Sequence, residues 1–166
     1  MSDRETIHDL LAHLTGAEQK MLPDVQATAD ALLARIVSLN AALGRLEPQL
    51  GGERLSSLSE RIAELERQSA DVHSRADRER LLTLLRRQRD QLAELAQSRA
   101  RLLEQYESGG LLLQNLALDL LKVRSSGLDA AIGGITSATQ EARALSREIG
   151  YVLAAADELR EIETKR

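Results

Sequence analysis

The residues able to do acid–base, nucleophilic or metal chemistry are few, and their spacing does not suit it. His8, His13 and His73 are the three histidines of the 166-residue chain. His8 and His13 stand five apart, on different faces of a helix, whereas a helical metal pair needs i, i+4 spacing. They read as solvated surface histidines. No Gly-x-Gly-x-x-Gly and no Gly-Lys-Ser/Thr phosphate loop is present, and Gly133-Gly134 lies within a helical stripe with no strand before it, a poor phosphate cradle. The absence of cysteine excludes disulfides and thiolate metal ligation. The chain is therefore read as non-enzymatic, with no catalytic residue, no cofactor and no metal site.

Charge gives the same answer for nucleic acid. Arg86, Arg87 and Arg89, with Arg99 and Arg101 beyond, could touch a phosphate backbone. Asp90 stands four residues after Arg86, however, and no aromatic residue interleaves, so the cluster reads as a solvated, salt-bridged helix face. The 22 basic and 26 acidic residues are interspersed and sum to −4, which builds no broad cationic field. Anionic lipid headgroups are a lesser option for the same arginines. Met1 to His13 carry Asp3, Arg4, Glu5 and Asp9 where a secretory signal needs an apolar run. The longest uncharged stretches, Ser108–Leu118 and Ala130–Gln140, are 11 residues each, against the ~20 a spanning helix requires. A soluble, cytoplasmic chain without an integral membrane segment is expected.

What remains is a sequence built for helices. Leu at 32 positions and Ala at 23 make a third of the chain, while Phe and Trp are absent, so any core is aliphatic and fills seams between helices. A short helix over about Arg4–Leu14 is predicted to stop at Thr15-Gly16-Ala17-Glu18, which has the form of a capping box. A second helix starts there, with Pro23 in its first turns. It continues through Val25, Ala29, Leu32, Ile36, Leu39, Leu43 and Leu46, spaced alternately by four and three as in a coiled-coil seam. Glu47-Pro48-Gln49-Leu50-Gly51-Gly52 breaks it. Leu55, Leu58, Ile62 and Leu65 resume the stripe and are expected to return against Val25–Leu46 as an antiparallel hairpin.

A turn is predicted over Gln68–Ser74, with Ser74 as cap and Asp77 in the first turn of the next helix. From Asp77 to Arg124 no proline interrupts a stripe of Leu81, Leu85, Leu92, Leu95, Leu102, Tyr106, Leu113, Leu116, Leu120 and Val123. Such a helix would span roughly 70 Å at ~1.5 Å per residue. Gly109-Gly110 is expected to give a kink or a close backbone approach, and Arg124-Ser125-Ser126-Gly127 a turn. The last helix carries Leu128, Ile132, Ile135, Thr139, Ala142, Leu145, Ile149, Val152, Ala156 and Leu159 at the same alternating spacing. Its small residues, Gly133 and Gly134 among them, would admit a close neighbour. Three segments follow: a short helix over 1–15, a helical hairpin over 16–70, and a long helix with a C-terminal helix over 71–166.

One run does not fit a single stripe. Leu111-Leu112-Leu113-Gln114-Asn115-Leu116-Ala117-Leu118 is apolar nearly all round, and a helix with two apolar faces is usually covered on both sides, by helices of its own or another chain. The centre of an assembly is placed at Leu111–Val123, where Asn115 would set register if buried. A docking face for a different protein is the rival reading.

Two resemblances bear on the second half. Thr136-Ser137-Ala138-Thr139-Gln140-Glu141-Ala142-Arg143-Ala144 resembles the modification motif on the signalling helices of methyl-accepting chemotaxis receptors, although no membrane anchor or hairpin tip accompanies it. Leu112–Arg124, Ile135–Ile149 and Ala155–Leu159 resemble, in texture and order over about residues 80–166, the helical tail that follows the catalytic domain in some bacterial serine/threonine protein kinases. The Gly-rich loop, the Val-Ala-Ile-Lys strand, the His-Arg-Asp loop and Asp-Phe-Gly are missing from this chain, so the resemblance implies a non-catalytic role and a kinase domain as a partner.

The sequence thus predicts an all-α chain of elongated antiparallel hairpins, a coiled-coil bundle with one long central helix. It acts as a structural or interaction protein that self-associates, as a dimer, through a seam of Leu113, Leu116, Leu120, Val123, Ile132, Ile135, Ile149 and Val152. Regulation of a kinase by a helical tail and remodelling of a membrane surface are the alternatives.

Overall fold

The computed structural model describes residues 3–22, 24–68 and 72–164. Every regular element among them is helical: α1 (Asp3–Ala12), α2 (Gly16–Met21), α3 (Val25–Leu46), a 3-10 turn at Glu47–Gln49, α4 (Gly52–Arg67), α5 (Val72–Ser126) and α6 (Leu128–Thr164). The molecule is an all-α helical bundle. It divides into two compact units, one formed by the chain up to Ala42 and from Leu102 onward, the other by Leu43–Arg101. These divisions differ from the three sequence segments, because the contacts that define a unit join residues far apart along the chain.

In the first unit α5 and α6 form an antiparallel hairpin about Gly127. This glycine has φ +83°, the left-handed geometry that ends helices and that a side chain resists, and its N–H donates to the Val123 carbonyl at 2.9 Å. The break expected at Arg124–Gly127 therefore lies where glycine permits it. The Ser125 hydroxyl donates back to the Lys122 carbonyl at 3.2 Å. Farther from the turn, Gln105 Nε2 donates to Glu148 Oε1 at 2.8 Å. α3 lies along both. Arg143 Nε donates to Thr28 Oγ1 at 3.2 Å, and the Arg35 guanidinium lies beside Gly150. Contacts thus advance along α3 and α6 together, so these two run parallel and α5 runs against them.

Gly109 shows why the long helix carries glycines. α5 continues through Gly109-Gly110 without a break, and a Cβ on Gly109 would lie 2.9 Å from Ile36 Cγ1, whereas one on Gly110 would meet nothing within 4 Å. The close approach is therefore at Gly109, against α3. Gly110→Ala is expected to stabilise the chain by about 1 kcal/mol, the difference in helix propensity. Gly109→Ala is expected to return less than this or to destabilise, because Ile36 must shift. Denaturant titration of the two single variants checks the contrast, and equal gains would contradict it. Of the later pair, Gly134 is the one against a neighbour, its added Cβ lying 2.9 Å from the Asp119 carboxylate, while Gly133 has open space.

The N-terminal helices α1 and α2 belong to this unit. Thr15 and Glu18 form the predicted capping box: the Thr15 N–H donates to Glu18 Oε2 at 2.8 Å, and the Glu18 N–H donates to Thr15 Oγ1 at 3.4 Å. Gln19 Nε2 donates to the Leu11 and Leu14 carbonyls at 3.1 and 3.3 Å, tying α2 to the end of α1, where the Leu11 carbonyl also accepts from the Leu14 N–H at 3.2 Å. The backbone N–H of Thr15, then its hydroxyl, hold the Glu18 carboxyl below the usual carboxylate range. A carboxylate depressed in the folded state stabilises above its unfolded pKa, and that contribution is lost as pH falls through the folded value. Carboxyl NMR is expected to show Glu18 titrating below an unstructured glutamate, and Thr15→Ala to move it upward. An unchanged midpoint in the variant would remove the hydroxyl as a cause and leave the backbone N–H alone.

The expected run of one helix from the capping box to Leu46 is corrected here. α2 ends at Met21, and α3 begins at Val25 after Asp24, whose φ is +69°. Pro23 lies outside the described residues. Asp tolerates this left-handed region better than most residues, and the Asp24 carbonyl accepts from the Thr28 N–H at 2.9 Å, starting α3.

The second unit is smaller. Ile62 of α4 packs with Leu82 and Leu85 of α5, flanked by Leu58 and Leu65. Arg86 Nη2 meets Glu66 Oε1 at 2.6 Å, and Arg78 donates to the Gln68 carbonyl, so α4 and α5 are antiparallel. The return of Leu55–Leu65 was expected against Val25–Leu46, yet the core of α4 is built with α5. α5 begins at Val72, so Ser74 and Asp77 lie inside it and Ser74 is not its cap. Residues 69–71 of the expected turn lie outside the described residues. Leu82, not Leu81, faces the core.

Candidate interaction surface

α5 positions two leucine stripes on opposite faces within the first unit. On the inner face Leu102, Leu113, Leu116, Leu120 and Val123 are buried, Leu116 and Leu120 with 1% of their surface exposed. Ile135, Ala138, Ala142 and Ile149 of α6 and Leu32 and Leu39 of α3 are buried in the same unit, and among the described residues no aromatic is buried there. Six of the eight residues of the expected oligomer or partner seam, Leu113, Leu116, Leu120, Val123, Ile135 and Ile149, are buried here, and Ile132 and Val152 are half-buried. Within the chain the turn at Gly127 folds α6 back along the inner face of α5, and these residues are covered there.

The outer face has no such cover. Leu111 is 61% exposed, Leu118 56% and Leu121 44%. With Gln114 between the first two, they step by three, four and three along the helix, which is again one face. This is the second face of the all-round apolar run at Leu111–Leu118. Leu103 extends it by two turns toward the N-terminus and is also exposed. Its charged positions are Glu104 and Glu107 near one end and Lys122 near the other, where Asp119 pairs with Lys122 and Glu141 of α6 borders the adjoining groove. Asn115, suggested as a buried register residue, is exposed.

Beside the stripe α5 and α6 enclose an open groove of about 740 Å3, bordered by Leu112, Leu118, Leu121, Lys122, Gly134 and Ala138. Gly134 and Ala138 keep the α6 side low. Lys122 Nζ lies 2.7 Å from Asp119 Oδ1 and retains further protons for another acceptor. The surface offers leucine side chains with a few charges at the rim. It can bury apolar area against another apolar helix, and it presents no convergent set of acid, base and nucleophile.

A second groove, of about 670 Å3, lies where the start of α3 meets α6. Its central cation is occupied: Arg143 Nη2 contacts Asp24 Oδ2 at 2.9 Å, and Nε is held by Thr28. The left-handed turn at Asp24 aims the carboxylate at Arg143, so this network ties α3 to α6.

The other chemistry-bearing residues stand apart. His8 is exposed, and the His13 ring donates from Nδ1 to the Asp9 carbonyl at 2.6 Å; the His73 side chain lies outside the described ones. Among the described residues no group of three or more His, Asp or Glu could hold a metal, and no helix is long and apolar enough to cross a membrane. Of the arginine cluster, Arg86 pairs with Glu66, Arg89 with Asp90 at 2.7 Å, and Arg99 with Glu47 at 3.4 Å. Asp90 is therefore held by its neighbour and not, as expected, by Arg86. Compared with known protein families, with curated proteins and with solved structures, the chain matches none.

Proposed function

We propose that this chain is a non-catalytic interaction protein that self-associates through the outer face of α5 and so holds two copies, with whatever is joined to them, at a fixed spacing. The observation that carries the reading is the leucine stripe Leu111, Leu118 and Leu121, exposed on a helix whose inner face is already filled. Contiguous apolar surface of this kind marks association sites. Its three-four spacing suits another helix, since knobs-into-holes packing needs a seam on each partner. The inner core fixes the helix, so the outer leucines are presented in register without ordering on contact, which lowers the entropic cost of association.

Sedimentation equilibrium over a wide range of loading concentrations tests it. The expected result is a mass that rises from one chain to two with concentration. A single-chain mass throughout would reject self-association.

A further inference from the structure

We infer that the occupant of the outer stripe is the same stripe of a second copy, running antiparallel about a two-fold axis beside Asn115–Ala117. The inference rests on the proposed self-association and deepens it by fixing orientation and register. Its warrant is where the charges lie. The stripe carries two unbalanced carboxylates toward its N-terminal end, Glu104 and Glu107, is apolar in the middle, and ends at an exposed cation, Lys122, that shares its charge with Asp119 beside it.

A parallel, in-register pair would set Glu104 and Glu107 against their own copies and Lys122 against its own. Like charges facing across a helix pair oppose association. In the antiparallel pair Glu107 of each chain lies level with a position three residues, under one turn, from Lys122 of the partner subunit. Lys122 is 64% exposed despite its contact with Asp119, so it can reach Glu107 across the interface. The same axis packs Leu111 against the partner's Leu121, and Leu118 against the partner's Gln114. Apolar layers then flank a central layer that carries a polar group, the arrangement by which coiled coils fix register. A two-fold interface needs one self-complementary patch, and this stripe is complementary to itself only when reversed.

Charge reversal and a distance measurement test the inference together. Glu107→Lys and Lys122→Glu are each expected to weaken dimerisation about three- to tenfold at low salt, and the double reversal to return it to within about twofold of the starting chain. Because the chain has no cysteine, a spin label at Glu104→Cys reports orientation. The two labels are expected about 35 Å apart in the antiparallel pair and about 10 Å apart in a parallel one. A dimer with the short distance, or one that the single reversals leave unchanged, overturns the antiparallel inference while self-association stands. A chain monomeric at all concentrations overturns both, and if it floats with anionic phosphatidylserine vesicles the stripe belongs to a lipid surface.

Discussion

Leu120→Asn is expected to destabilise the chain by about 4 kcal/mol, from lost apolar burial and an amide placed where no partner is provided. Leu120 has 1% of its surface exposed, and the buried hydrophobic side chains among the described residues are all aliphatic. Leu116→Asn is expected to behave in the same way. For a chain of this size such a loss lowers the thermal midpoint by about 10 °C, read from the helical circular dichroism signal. Leu118→Asn, two residues away on the outer face, is expected to cost under about 0.5 kcal/mol per isolated chain. Equal shifts for positions 118 and 120 would show that the two faces of α5 are not different.

The second large effect is on association. Leu111→Lys combined with Leu118→Lys places two cations in the middle of the proposed interface from each chain. Centrally placed apolar residues carry most of an interface's energy, and a charge buried there without a partner adds its desolvation cost. The double variant is expected to weaken dimerisation on the order of a hundredfold or more, with helical content unchanged because both positions are exposed in the single chain. Light scattering at matched concentrations reads the result. A variant that dimerises like the starting chain would move the interface away from this stripe.

The sequence made the helices legible wherever periodicity and punctuation agreed. The three-four spacing of Leu113, Leu116, Leu120 and Val123 marks a buried face, and Gly127 marks the reversal, because a left-handed residue at a helix end favours glycine. The Thr15–Glu18 box is readable from residue types alone. What spacing could not settle is which chain fills a seam, since periodicity identifies a face and not its neighbour. Leu113, Leu116, Leu120 and Val123 look the same whether α6 or a second copy covers them.

Local signals also misplaced some boundaries. The break at Leu22–Asp24 has no glycine to announce it, and it relies on an aspartate in the left-handed region, held through its carboxylate by Arg143, 119 residues away. The start of α5 at Val72 is not legible because Ser74 and Asp77 look like a cap and a first turn, yet the helix begins before both. The interaction surface itself had a signal in the all-round apolar run at Leu111–Leu118. Leu111, Leu118 and Leu121 were separable from their neighbours only once the inner face of α5 was seen to be filled.

The central claim is that the outer leucines of α5 become buried when two chains meet, and thiol accessibility at one of them measures it most directly. In the cysteine-free chain, Leu118→Cys is expected to alkylate quickly at high dilution and progressively more slowly as protein concentration rises, while Leu120→Cys stays slow throughout. A Leu118→Cys thiol that reacts at one fast rate at every concentration would contradict the account.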